Sequence, residues 1–303
     1  MQKQMPSVSR GWRWLLITGA ALAVVLALHA AQSANRKRAK NTARTEPAAT
    51  SSMSMVSVPT PSTAPSAAPA RAAVSAPASK AEALAPLRAG EVLDYTVHFS
   101  KLTNVANIRL GVNEMRDFHG RPAWHLQAFA HTVNPLRIVF ELDDQFDSYS
   151  SATTLESFQY ELHLRERGQT VNTVLRMTTG AEPAPPDAAA ARVLPGTRDP
   201  LGFLQFLRAT DWTKNKEVRG PVFDGRKLYD VRARVVEPAA SVEIPAGVFS
   251  SSQIALRIFE NGKELKDTRF TVSLANNPPR TPVLLEAELP LGTARVELLT
   301  RHD

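Results

Sequence analysis

The 303-residue chain has no cysteine, which excludes disulfide frameworks, thiolate metal sites, iron–sulfur clusters and cysteine nucleophiles. A lipid anchor built on a cysteine is excluded with them. Only 14 glycines are present and none cluster, so the loops that cradle phosphates or dinucleotides are missing. No Gly-x-Ser-x-Gly or Ser-x-x-Lys pattern occurs, which removes the common serine-nucleophile arrangements. The net charge of +7 is not spread along the chain. Residues 1–44 carry eight basic side chains and no acidic one, leaving 28 basic against 29 acidic over 45–303. The larger part therefore lacks the basic footprint of a nucleic-acid binder, and its aromatics are not interleaved with basic residues.

What is present begins with an apolar run. Trp14–Ala31 holds eighteen residues with His29 as its one ionisable side chain, long enough for a helix to cross a bilayer core. The basic cluster Arg36-Lys37-Arg38 and Lys40 follows at once and disfavours cleavage after Ala31. The expectation is a retained signal anchor. Residues 1–13 would be a cytoplasmic tail, 14–31 a single inner-membrane span, and the C-terminal domain periplasmic. Residues 32–87 read as a basic stretch and then a disordered linker. From Glu46 to Ala85, thirteen of forty residues are Ala, eight Ser and six Pro, too little apolar surface to offset the entropy of ordering.

Beyond Leu87 the apolar period becomes two. Leu93, Tyr95, Val97 and Phe99 alternate with polar neighbours, as do Ala106–Val112, Trp124–Ala130, Ile138–Leu142, Phe158–Leu164 and Val171–Met177. The pattern returns at Tyr229–Val235, Ile254–Ile258, Phe270–Leu274, Val283–Leu289 and Val296–Leu298. Turn residues punctuate it at His119-Gly120, Arg167-Gly168, Asp224-Gly225, Asn261-Gly262 and Leu291-Gly292. Residues 88–303 therefore read as an all-β domain, a curved antiparallel sheet or a barrel-like one. One short helix interrupts it over Asp199–Arg208, with an aspartate cap, Pro200 at the first position, and Leu201, Leu204 and Leu207 on one face. Asp199 and Arg208 are its candidate cap and lid residues. Ala181–Ala191 reads as a flexible excursion.

These residues in this order resemble the DUF3108 family, a bacterial envelope domain of unknown function. The likeness covers about Gly90 to Leu299. It rests on Gly90-Glu91-Val92-Leu93-Asp94-Tyr95, Asp147-Ser148-Tyr149 with Thr154-Leu155, and Asp199-Pro200-Leu201 with Leu207-Arg208. Phe223–Tyr229 with Ile244–Phe249, and Arg280-Thr281-Pro282-Val283 with Leu289–Gly292, complete it. The chain departs from the family's usual glycine at Asn104-Val105-Ala106, and from its usual aspartate at Asn276-Asn277-Pro278-Pro279. The resemblance implies a fold and an envelope location and adds no reaction.

No catalytic, cofactor-binding or metal-ligating set is expected. His98, His119, His125, His131 and His163 read as solvated strand-face residues, since no pair has metal-ligand spacing on a helix. Asp143, Asp144 and Asp147 form the densest acidic patch. They are read as a solvated strand end that discourages edge pairing, against the alternative of a hydrolase's acid/base pair. The favoured function is a membrane-tethered, non-catalytic module that binds an apolar or amphiphilic ligand, such as a lipid, or another envelope protein. A purely structural scaffold is the further alternative. Its cavity would be lined by Trp124, Phe140 and Tyr160 with the small Ala106 and Ala128 between them.

Overall fold

The computed structural model describes residues 87–180 and 187–302. The expected anchor Trp14–Ala31, the tail at 1–13 and the linker at 32–86 lie outside the described residues. Among those described, no helix is long and apolar enough to cross a membrane. The described residues therefore give an inner-membrane, single-pass placement no support.

In chain order the elements are β1 (Glu91–Phe99), β2 (Leu102–Asp117), β3 (Pro122–Thr132), α1 (Leu136–Val139), β4 (Asp143–Ser151), β5 (Ser157–Glu166), β6 (Gln169–Thr178) and β7 (Ala189–Arg192). There follow α2 (Pro200–Ala209), β8 (Glu217–Phe223), β9 (Leu228–Ile244), β10 (Gly247–Glu260), β11 (Lys263–Glu264), β12 (Arg269–Ala275), β13 (Pro282–Leu289) and β14 (Gly292–His302). They make one sheet in the order β7-β6-β5-β4-β3-β2-β1-β14-β13-β12-β10-β9-β8, with β11 beside β10. Neighbours are antiparallel except β6 and β7, which are parallel.

The sheet is not a barrel. Its end strands β7 and β8 pair with β6 and β9 and not with each other. Segment 197–199 lies between the two halves instead. The Ser157 N–H donates to the Thr197 carbonyl at 3.1 Å, and Arg198 bridges in parallel to Val222 of β8. The halves still come close: a Cβ on Gly225, at φ +94° in the β8–β9 turn, would lie 3.2 Å from Leu162 of β5.

Two local expectations change. Ile138–Leu142 alternates like a strand, yet Leu136–Val139 forms a helical turn that leaves Ile138 80% exposed. Arg137 holds that turn, donating to both oxygens of Asp143 at 2.8 Å and to Glu141 at 3.2 Å, while Thr132 Oγ1 donates to the Phe140 carbonyl. Ala189–Arg192, read as part of an excursion, adds the edge strand β7.

The inner face of the curled sheet is filled by α2, of which only Phe206 and Ala209 escape full burial. Asp199 caps its start, accepting from the Gly202 N–H at 2.9 Å, a contact worth about 1 kcal/mol. Ser148 Oγ donates to the same carboxylate at 2.5 Å, and the Asp199 N–H donates to Ser157 Oγ at 2.8 Å. Approach to the sheet is close enough that a Cβ on Gly202 would meet Ser150 Oγ at 2.9 Å. At the far end Arg280 Nη1 donates to the carbonyls of Arg208, Ala209 and Thr210, groups the helix cannot satisfy itself.

Arg208 is fully buried and pairs with the buried Glu91 of β1 at 2.8 Å. It also donates to Gln205 Oε1 at 2.8 Å and to the Pro279 carbonyl at 3.0 Å. Tyr95, two turns of the pleat along β1, donates its hydroxyl to Pro282 O at 2.8 Å. Helix, first strand and the turn before β13 are thus tied at one point. Removing one partner of a buried pair costs about 3–5 kcal/mol, because the other charge stays behind. Glu91→Gln should lower stability by about 3 kcal/mol in chemical denaturation. The double variant Glu91→Gln/Arg208→Met should lose clearly less than the sum of the two single changes.

Candidate functional site

Strand alternation sends Leu126, Phe146, Ser148, Tyr160 and Leu175 inward, and their neighbours in β3–β6 outward. The register aligns the outward residues in rows. His125, Tyr149, Gln159 and Arg176 form one row, Gln127, Asp147 and Glu161 the next, and Phe129, Gln145, His163 and Asn172 the third.

The first row continues into an aromatic stack. His125 lies on Tyr149 (centroids 4.9 Å apart), Tyr149 on Phe118 (4.6 Å), and Phe118 beside Phe158 (6.3 Å), all within 16° of parallel. Three guanidiniums cover these rings. Arg116 sits 4.8 Å from Tyr149, Arg176 4.6 Å from Phe118 and Arg121 3.9 Å from Phe158. Arg121 and Arg176 open onto a cleft of about 700 Å³ whose apolar wall includes Met177, Val193 and Leu194. Arg176 donates to His119 Nε2 at 2.9 Å, and its buried Nε has no partner. Burial, and then the charge of Arg121, pull the Arg176 pKa below its ordinary value. Among the described residues neither arginine makes an ion pair. Glu156 also lines the cleft, and its charge acts on Arg198.

The second and third rows hold a polar network. Asp147 accepts from His125 Nε2 (2.8 Å), Gln127 Nε2 (2.7 Å) and Gln145 Nε2 (2.7 Å). Burial works to raise its pKa, but these hydrogen bonds outweigh that and hold it below the usual carboxylate range. Asp147, Glu161 and His163 bring ligand-type atoms within 4.8 Å of one another.

The three expected aspartates do not converge. Asp143 faces outward and is held by Arg137, whose hydrogen bonds lower its pKa. Asp147 shares that outward face four residues on, about 13 Å along the strand. Asp144 points inward, accepts from the Arg165 N–H at 2.9 Å, and keeps a second buried oxygen without a partner. The same period of two that builds β4 therefore splits the cluster, and the hydrolase reading fails. Trp124, Phe140, Tyr160, Ala106 and Ala128 all belong to one buried core cluster, and none lines the arginine cleft. Asp199 and Arg208 sit at the two ends of α2, both fully buried.

Compared with known proteins, the chain matches the family described as protein of unknown function (DUF3108) over residues 94–299. It belongs to the DUF3108 family. Most of the motifs that carry its likeness to DUF3108 meet around α2: Glu91 and Tyr95, Asp199 to Leu201, Leu207-Arg208, and Arg280 to Pro282. Those residues seat a helix, and the outward rows of β3–β6 lie on the opposite face.

No curated protein matches this DUF3108 chain. Among solved structures it is similar to the β-barrel-like DUF1849 protein from Brucella abortus, at 11% identity and TM-score 0.47, covering 70% of this chain and 96% of that one. A candidate lipoprotein from Parabacteroides distasonis is 12% identical with TM-score 0.33, over 73% and 98% of the two chains. A candidate exported protein with a YmcC-like fold from Bacteroides fragilis is 8% identical with TM-score 0.28, over 73% and 99%. The tether that would set a lipid or envelope protein beside the domain is not found among the described residues. Nothing among the described residues supports a membrane-tethered module.

Asp144 supplies a pH test. Burial pushes its carboxyl up to about 7, so the folded state holds a proton that the unfolded chain releases near 4. Stability from this group is complete below pH 4 and is lost as pH rises from about 4 to 7. Asp144→Asn should equal the native chain near pH 4 and exceed it by about 2 kcal/mol above pH 7, as read by denaturation across pH.

Proposed function

We propose that this domain is a non-catalytic binding module that takes an oxyanion, a carboxylate or phosphate group, in the Arg121–Arg176 cleft. The observation that carries this reading is the pair of guanidiniums there, neither in an ion pair among the described residues. Each guanidinium lies over a ring, Arg121 on Phe158 and Arg176 on Phe118, which limits its rotation. The Arg121 edge is left for bidentate contact with an anion, while Arg176, already bonded to His119, adds its charge. An arginine held this way has already lost much of the side-chain entropy that binding otherwise costs. Of the cleft's lining residues two are arginines and one, Glu156, is acidic. Asp187 and Glu161 also act on Arg176, and the repulsion between the two guanidiniums is relieved when an anion enters.

Phenyl phosphate is the probe. Titrated into the full chain by calorimetry, it should bind with an affinity that weakens as salt rises. Arg121→Gln and Arg176→Gln should each lower that affinity about tenfold or more, with melting temperatures close to native. Binding that ignores both substitutions, or none at millimolar probe, contradicts the reading.

A further inference from the structure

We propose that Asp147, Glu161 and His163 form a site for one divalent transition ion, with zinc the best match to their donors. This is a second site, built on residues other than the arginine cleft. Asp147 of β4 stands directly opposite Glu161 of β5, and His163 follows two residues on along the same face. Two carboxylates balance the ion's charge, and a single imidazole favours zinc over the oxygen-loving calcium and magnesium.

The surroundings point all three donors at one gap. His125, Gln127 and Gln145, the last directly opposite His163, donate to Asp147 and fix its carboxylate, and Gln159 Nε2 holds Glu161 Oε1 at 2.6 Å. Asn172 Oδ1 accepts from His163 Nδ1 at 3.1 Å, which fixes the ring's orientation and turns Nε2 toward Glu161. That nitrogen lies 3.3 Å from Glu161 Oε2, a contact that a shared proton or a metal cation between the two atoms satisfies. Donors about 2.1 Å from a tetrahedral ion are about 3.4 Å apart, so this pair already has a ligand spacing. A neighbour that orients a ligating histidine is the usual outer shell of such sites. His125 is excluded as a ligand, because its Nε2 donates to Asp147 and its Nδ1 accepts from Asn113. With the His163 side chain 35% exposed, the ion has an entry route and an open position for water.

The test is a calorimetric titration of the chelator-treated full chain with zinc, with cobalt as a spectroscopic substitute. One ion per chain is expected, with cobalt spectra of mixed nitrogen and oxygen ligation. Glu161→Gln and His163→Gln should each weaken binding more than about a hundredfold, and Asn172→Leu about ten- to a hundredfold. His131→Gln, outside the gap, should change nothing, and circular dichroism should show every variant folded. Zinc binding unaltered in His163→Gln overturns the proposal. So does the absence of saturable binding together with an NMR titration showing His163 protonated near neutral pH, which would assign the gap to a proton.

Discussion

The buried pair of Arg208 and Glu91 fixes much else in this molecule. A guanidinium with no exposed surface is costly unless its donors are met, and here both terminal nitrogens are met, from three distant parts of the chain: β1, the helix itself and the turn before β13, while Nε has no partner. Arg280 adds the helix's last carbonyls to the same junction. The helix must therefore lie in the trough of the sheet, and its apolar face fills the space that an open cavity would need. Arg198 and Asp199, the two residues before it, bridge the gap between the sheet's halves without closing a barrel.

With the inner face committed to packing, recognition chemistry falls to the outer face of β3–β6. Strands are precise supports for such chemistry, since cross-strand neighbours sit at fixed spacing. Here the strands and the β2–β3 turn place a stack of four rings under three guanidiniums, next to two carboxylates and a histidine. The stack's own small cluster, Phe118, Ala123 and Tyr149 with Phe158 packed on it, gives that face a rigidity separate from the main core.

Much of this architecture can be read along the chain. Alternation at Leu93, Tyr95 and Val97 marks β1, and Asp199-Pro200 with Leu201, Leu204 and Leu207 marks α2 to within a residue at each end. The same alternation, applied to Asp143, Asp144 and Asp147, already places Asp144 on the opposite face from the other two. What alternation along one strand does not contain is pairing between strands. His163 and Asp147 become neighbours only through the β4–β5 register, and Arg121 reaches Arg176 only through a ring stack drawn from separate elements. Whether a long sheet closes depends on its edge strands, and β7 arises from an alanine run with no strand-like pattern. At 136–139 a bidentate arginine contact outweighs an alternating pattern.

The central claim is that the inner face holds the fold and the outer face of β3–β6 does the binding. Chemical-shift mapping of the isotope-labelled full chain during titration with phenyl phosphate tests it most directly. The account predicts perturbations at Arg121, Phe158, Arg176 and Thr178, and silence at Leu126, Tyr160, Leu201 and Leu204. Perturbations centred on α2 and the inward residues of the sheet would contradict it.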